Sequence, residues 1–263
     1  MIELTEIVRQ YPKELQRVEF YDQMVKEYFH HYMMQSLYTN EYSNRINFLG
    51  GTALRFFYGL KRFSEDLDFD CNNLSRDQFI DMTDRVVTDL QSYGINVVFE
   101  DKKRYEELKA YRRVLVFPEL KYKLGLSQQK EAKFFIKIEA ESHNLNYSPD
   151  VKILNGFGVT IPVSVVPIDI MFSTKISAAL TRKKDRDFFD VIHLLTFAQP
   201  DYDYLRSKFS FDSPESLKTE LLKAANSKQL DKRSVYDCDH MLFFKSDNQK
   251  IRSFTMNVSS KDF

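Results

Sequence analysis

Phe48-Leu49-Gly50-Gly51-Thr52-Ala53-Leu54 and, fourteen residues after Thr52, Asp66-Leu67-Asp68 are the two stretches that decide the fold. Ile46-Asn47-Phe48-Leu49 reads as a short strand, Thr52 to Tyr58 as a short helix ended by Gly59, and Leu67-Asp68-Phe69 as a second strand. Strand side chains alternate between faces, so Asp66 and Asp68 project together and Leu67 points the other way. Two co-facing carboxylates repel unless a positive charge sits between them, and hard oxygen ligands suit Mg²⁺ or Mn²⁺. A Gly-Gly-Thr turn at a helix start presents backbone N–H groups where phosphates bind. Gly50, Gly51 and Thr52 are therefore candidate phosphate contacts, and Asp66 and Asp68 candidate metal ligands. The bland alternative makes Asp66 and Asp68 surface carboxylates partnered by Arg62 or Lys61, with Arg62 and Ser64 in a surface salt bridge and a turn. In the functional reading, Arg62 and Ser64 orient the carboxylates or touch a phosphate.

Outward from this centre the chain organises into three parts. Residues 1–44 are an N-terminal helical lead, with apolar residues at helical spacing from Pro12 to Leu37. Residues 45–172 form an α/β core. Ser75-Arg76-Asp77-Gln78 is a capping box that starts a helix running to Tyr93, stopped by Gly94. Strands are expected at Ile95–Phe99, Arg113–Phe117 and Phe134–Glu139, and a broken β-rich run from Val159 to Ile170. Residues 173–263 are expected to be helical, beginning near Ser173; the segment from Ser246 onward gives no clear pattern.

Composition narrows the class. The chain has 263 residues, of which 38 Lys and Arg balance 38 Asp and Glu. That balance argues against coating a nucleic acid by bulk charge, though not against a local basic patch. Lys102, Lys103, Arg104, Arg112, Arg113, Lys121, Lys123, Lys130 and Lys133, interleaved with Tyr105, Tyr111 and Tyr122, could form such a patch or merely solvated loops. Cys71 and Cys238 lie far apart and show no metal-ligand spacing, which fits a reducing cytoplasm. No basic leader or membrane-length apolar run is evident, so a cytoplasmic protein without a membrane partner is expected.

Two further constellations bear on chemistry. In Phe134–Glu141, Ile136, Ile138 and Ala140 share one face, and Lys137, Glu139 and Glu141 the other. If this strand lies beside Asp66 and Asp68, Glu139 can supply a third carboxylate to the metal or help deprotonate an attacking hydroxyl; otherwise it belongs to a solvated face. In the helix expected from Ser173, Lys175, Ala178, Ala179 and Arg182 share a face. Lys175 could neutralise a triphosphate, and Arg182 or Arg186 could add a planar fork. Asp187 and Asp190, three residues apart, could each hold Lys175 or an arginine, or simply cap a helix.

Together these stretches resemble a known family. Phe48–Leu54, Tyr58-Gly59 and Arg62–Phe69 resemble the first signature of the AbiEii/AbiGii-type nucleotidyltransferase toxins. Lys175-Ile176-Ser177-Ala178, Arg182, Arg186-Asp187-Phe188-Phe189-Asp190 and Leu194-Leu195 resemble their later signature. The resemblance implies an α+β fold: a minimal polymerase-β-like nucleotidyltransferase core, a mixed sheet with flanking helices, with an N-terminal helix and a helical C-terminal region. It implies that Asp66 and Asp68 bind catalytic Mg²⁺, that Lys175 contacts the nucleoside triphosphate, and that Asp187 or Asp190 completes the site. It further implies a toxin of a toxin–antitoxin or phage-defence pair, a cognate antitoxin, and an RNA acceptor such as the 3′ end of tRNA. Transfer to a protein or small molecule, and a non-catalytic binding protein of the same fold, are the alternatives.

Overall fold

The computed structural model describes residues 3–100, 109–209, 211 and 213–261. It divides into two compact units: residues 1–58 with 64–165, and residues 59–63 with 166–263.

The first unit is built on a seven-stranded mixed sheet. Helices α1 (Leu4–Arg9) and α2 (Tyr21–Tyr38) lead into β1 (Ile46–Leu49), α3 (Gly50–Phe57), β2 (Leu67–Cys71) and α4 (Arg76–Ser92). Then come β3 (Val98–Phe99), β4 (Tyr111–Val116), α5 (Leu120–Lys123), β5 (Phe135–Glu141), β6 (Asp150–Gly156) and β7 (Val159–Val165). The strands run in the order β3-β4-β5-β2-β1-β7-β6. β1 and β2 are antiparallel, and β2 and β5 are parallel neighbours. The alternation expected of β5 holds: Ile136, Ile138 and Ala140 are buried while Lys137, Glu139 and Glu141 are partly exposed. Phe48 and Phe69 pack ring to ring with centroids 5.4 Å apart, and Phe69 also meets Tyr38 of α2. The apolar face of the sheet is thus covered by helix, which leaves the opposite face of β2 and β5 to carry the carboxylates.

Several sequence expectations are revised. The apolar run from Pro12 does not start one helix; two 3₁₀ turns, Lys13–Leu15 and Val18–Phe20, precede α2. The Ile95–Phe99 strand shrinks to Val98–Phe99 at the sheet edge. β6 was not expected, because its exposed Val151 and Ile153 sit in a polar context; it is defined by its hairpin with β7, turning at Phe157-Gly158, both at positive φ. The capping box at Ser75 forms as read, with Gln78 N–H donating to the Ser75 hydroxyl. The charged stretch Asp101–Lys109 lies largely outside the described residues, Lys102, Lys103, Arg104 and Tyr105 among it.

The second unit is helical: α6 (Ile168–Thr181), α7 (Asp185–Leu194), α8 (Tyr202–Phe209), α9 (Pro214–Lys228), α10 (Asn248–Arg252) and α11 (Phe254–Ser259). α6 begins five residues before Ser173, because Pro167 sits at the N-cap and frees the helix to start at once. The polar tail after Ser246 also forms short helices, anchored by buried Ile251, Phe254 and Val258. Residues 59–63 join this unit through a strand-like bridge, with Phe63 N–H donating to the Met241 carbonyl at 2.9 Å and Phe243 N–H to the Lys61 carbonyl at 3.2 Å. Among the described residues, no helix is long and apolar enough to cross a membrane.

Candidate functional site

In the first unit the register sets the site. Leu49 of β1 pairs with Asp68, so the chain that leaves β1 at Gly50 passes directly beside the Asp68 side chain. A Cβ on Gly50 would stand 2.6 Å from the Asp68 carboxylate oxygen, and Gly50 has φ +84°. Both facts require glycine: no other residue gives the left-handed turn and leaves room for the carboxylate. α3 starts at this turn with no side-chain cap, so its first N–H groups point from the helix start beside Asp68. Thr52 is buried, and its hydroxyl donates to the Asp66 carbonyl. The hydroxyl expected at a phosphate therefore ties the helix to the strand, fixing the turn against the carboxylate pair. Ser64 is buried at the approach to β2.

Asp66 and Asp68 are partly exposed. Asp68 is in register with Glu139 on β5, and Glu139 with Arg112 on β4, so three strands contribute one transverse row. The strand adjacency needed to bring Glu139 to the aspartates is present. However, Arg112 donates to both Glu139 oxygens, at 2.8 and 3.0 Å. Lys137 lies 2.9 Å from Glu139 and 3.1 Å from Asp66. Burial pushes the Glu139 carboxyl up, but Arg112 and Lys137 outweigh it and hold it below the usual range. Burial works against the Lys137 ammonium, yet Asp66 and Glu139 raise its pKa on balance.

Two positions along β2, Asp70 is buried and accepts from the His143 backbone N–H and ring at 2.9 Å and from the Tyr147 hydroxyl at 2.5 Å. It pins the 142–147 segment to the sheet. The sequence places Lys137 on the Glu139 face and Arg112 in a basic run but does not pair either with Glu139, and it gives no reading of Asp70. The period-two run Asp66-x-Asp68-x-Asp70 and the pair Lys137-x-Glu139 are the signals that contain them.

The fit to a divalent ion can be tested on these contacts. Asp66 and Asp68 qualify: oxygen donors on one face, partly exposed, beside the first N–H groups of α3. Mg²⁺ is held in this manner, by one or two carboxylates with substrate phosphates completing its shell. Glu139 fits less well, because Arg112 and Lys137 already engage both its oxygens. Consistently, no cage of three or more His, Cys, Asp or Glu residues is assembled among the described residues.

In the second unit, Asp187 and Asp190 take different partners. Asp190 is fully buried; Arg62 forks onto it at 2.7 and 2.8 Å, and Lys175 reaches it at 2.8 Å. Burial pushes the Asp190 carboxyl up, but Arg62 and Lys175 hold it well below the usual range. Arg62 is only 2% exposed and also donates to the Phe63 carbonyl. It is thus a buried support for Asp190 and Lys175 rather than an open phosphate contact. Asp187 accepts a fork from Arg182 at 2.6 and 2.8 Å. Arg186 is half-buried on α7. Of the basic and aromatic run read as a nucleic-acid patch, four residues within the described part, Arg112, Arg113, Lys121 and Lys123, are each paired to a carboxylate. Arg113 pairs with Asp84, Lys121 with Asp22 and Lys123 with Glu119, and Arg113 covers the Phe99 ring.

A strand, a glycine turn into a short helix, and a second strand bearing co-facing aspartates, on a mixed sheet with helical flanks, define the nucleotidyltransferase class. The family model described as nucleotidyl transferase AbiEii toxin, type IV toxin–antitoxin system, matches residues 32–252. The chain belongs to this family and is a nucleotidyltransferase toxin. Solved structures agree on the fold. MenT4, a nucleotidyltransferase toxin of Mycobacterium tuberculosis, superposes with a TM-score of 0.59 at 15% identity, covering 100% of this chain and 91% of that one. JHP933 from Helicobacter pylori gives 0.53 at 16% identity, covering 90% and 91%. None of the curated proteins matches the chain.

Proposed function

We propose that the protein transfers a nucleotide from a nucleoside triphosphate to an acceptor, with Asp66 and Asp68 as the ligands of a Mg²⁺ or Mn²⁺ ion. The observation that carries this reading is the fit of the Asp68 carboxylate against Gly50, which sets an acidic group beside the N–H groups of a helix start. A divalent ion held there supplies charge neutralisation on the triphosphate. The Gly50-Gly51 turn binds phosphate oxygens through backbone N–H groups, and Thr52 keeps that turn rigid. In the second unit, the resemblance implies a nucleotide contact at Lys175, which is itself buried against Asp190 with Arg62 behind it. Arg182, clamped by Asp187, and Arg186 remain candidates for phosphate contact. The chain contributes position and electrostatics rather than covalent chemistry.

For the acceptor, the family resemblance favours RNA, with the 3′ end of tRNA as the specific expectation, and for biological setting a toxin paired with an antitoxin in phage defence in the cytoplasm. The balanced charge and the paired state of Arg112, Arg113, Lys121 and Lys123 favour a second reading, transfer to a less anionic acceptor such as protein. One experiment separates them. Purified protein with Mg²⁺ receives each α-labelled nucleoside triphosphate in turn, with total RNA and soluble protein present. Label in an RNA band that is absent with Asp68→Asn is the expected result. Label on protein selects the second reading, and equal label with Asp68→Asn removes the assignment.

A further inference from the structure

The face of β2 and β5 that carries Asp66 and Asp68 is already part-neutralised by the chain itself. Lys137 stands between two carboxylates, 3.1 Å from Asp66 and 2.9 Å from Glu139. In a two-ion site the ions lie about 3.5–4 Å apart and stabilise the attacking and leaving oxygens; here an ammonium, not a further carboxylate, stands between Asp66 and Glu139. Glu139 is turned away from such a role by its neighbour on β4: the Arg112 fork takes both oxygens, and cross-strand pairing of Arg112 with Glu139 fixes that geometry in the sheet. To ligate an ion, Glu139 would have to give up a bidentate arginine, among the strongest side-chain pairings, and displace a lysine that is only 27% exposed.

We infer that this is a single-ion nucleotidyltransferase site in which Lys137, oriented by Glu139 and Arg112, provides the positive charge that a second metal ion would otherwise bring. The inference rests on the assignment of Asp66 and Asp68 as metal ligands. Lys137 is a positioning residue: it holds Asp66 by an ion pair and keeps the acidic face from recruiting a further cation. Glu139 orients Lys137 and is neither a metal ligand nor a proton acceptor. An ammonium is a compact charge that reaches both carboxylates from one atom, and its position is set by strand register rather than by ion concentration. Transfer should therefore saturate with a single class of metal.

Mn²⁺ provides the test, because two Mn²⁺ ions at that spacing give a spin-coupled signal. The full chain is titrated with Mn²⁺ and a non-hydrolysable triphosphate analogue and followed by electron paramagnetic resonance. The expected result is one uncoupled Mn²⁺ per complex in the wild type and in Glu139→Gln. Asp68→Asn should weaken binding of the Mn²⁺–triphosphate complex at least tenfold. Lys137→Met should lower transfer at least tenfold, and Lys137→Arg should retain most of it, a rescue that a purely packing role would not give. A coupled pair in the wild type overturns the inference while leaving the nucleotidyltransferase reading intact. Full transfer by Lys137→Met also overturns it. Failure of the wild type to bind Mn²⁺–triphosphate at all overturns the metal assignment of Asp66 and Asp68, and the inference with it.

Discussion

The two units hold their key carboxylates in opposite ways. In the sheet unit, Asp66 and Asp68 sit partly exposed on one strand face, beside a lysine that balances only part of their charge. In the helical unit, Asp190 is sealed from solvent and paired twice, by Arg62 and Lys175. The first arrangement is a site that can exchange partners, since water and ligands reach it. The second is a fixed support, since any change leaves charge uncompensated in a low-dielectric interior. The difference separates residues whose loss should remove activity from residues whose loss should remove the fold.

The largest effect on stability is expected at Asp190. Asp190→Ala strands Arg62 and Lys175 as buried unpaired cations, and breaking such a pair costs roughly 3–5 kcal/mol. Urea unfolding of the variant checks this, and a loss below about 1 kcal/mol would break the contrast drawn above. The same group gives a pH signature. Its folded carboxyl lies below its unfolded value of about 3.9, so its contribution is fully present above about pH 5. It is lost as pH falls through the unfolded value toward the folded one. The stability gap between wild type and Asp190→Asn should therefore be constant at neutral pH and shrink below about pH 4.

A smaller effect belongs to Gly50. Gly50→Ala forces a Cβ to 2.6 Å from the Asp68 carboxylate at a φ of +84°. A left-handed conformation at a non-glycine residue costs of order 1–3 kcal/mol. Transfer should also fall, because Asp68 must shift. A variant that keeps both stability and transfer would show that the turn and the carboxylate are not coupled. The smallest stability effect is expected at Asp68 itself. Asp68→Asn relieves repulsion on a partly exposed face, so stability should stay within about 0.5 kcal/mol of wild type or rise, as for many sites that trade stability for activity. Transfer should be lost. A strongly destabilised Asp68→Asn would place this residue with Asp190, as a support.

Much of the sheet unit was legible along the chain. The short strand, glycine turn, helix and Asp66-Leu67-Asp68 strand need only local rules of period and turn chemistry, and the alternation in β5 sorted Ile136, Ile138 and Ala140 from Lys137 and Glu139. α6 starts ahead of Ser173 because Pro167 can either break or begin a helix, and β6 carries no signal of its own because its partner strand, not its own pattern, defines it.

What the sequence determined by itself is therefore local: the turn, the co-facing aspartates, the capping box at Ser75 and the Lys175 and Asp187–Asp190 signature that carried the family resemblance. What only the tertiary structure decided is which charges meet. Arg62 and Asp190 are far apart in the chain, as are Arg112 and Glu139, and nothing in either stretch names its partner. Strand register placed Glu139 beside Asp68 but gave its oxygens to Arg112 and Lys137. Burial turned Arg62 from a candidate phosphate contact into a support. Ion pairing depends on distances of a few ångströms and on exclusion of water, and both are properties of the folded chain.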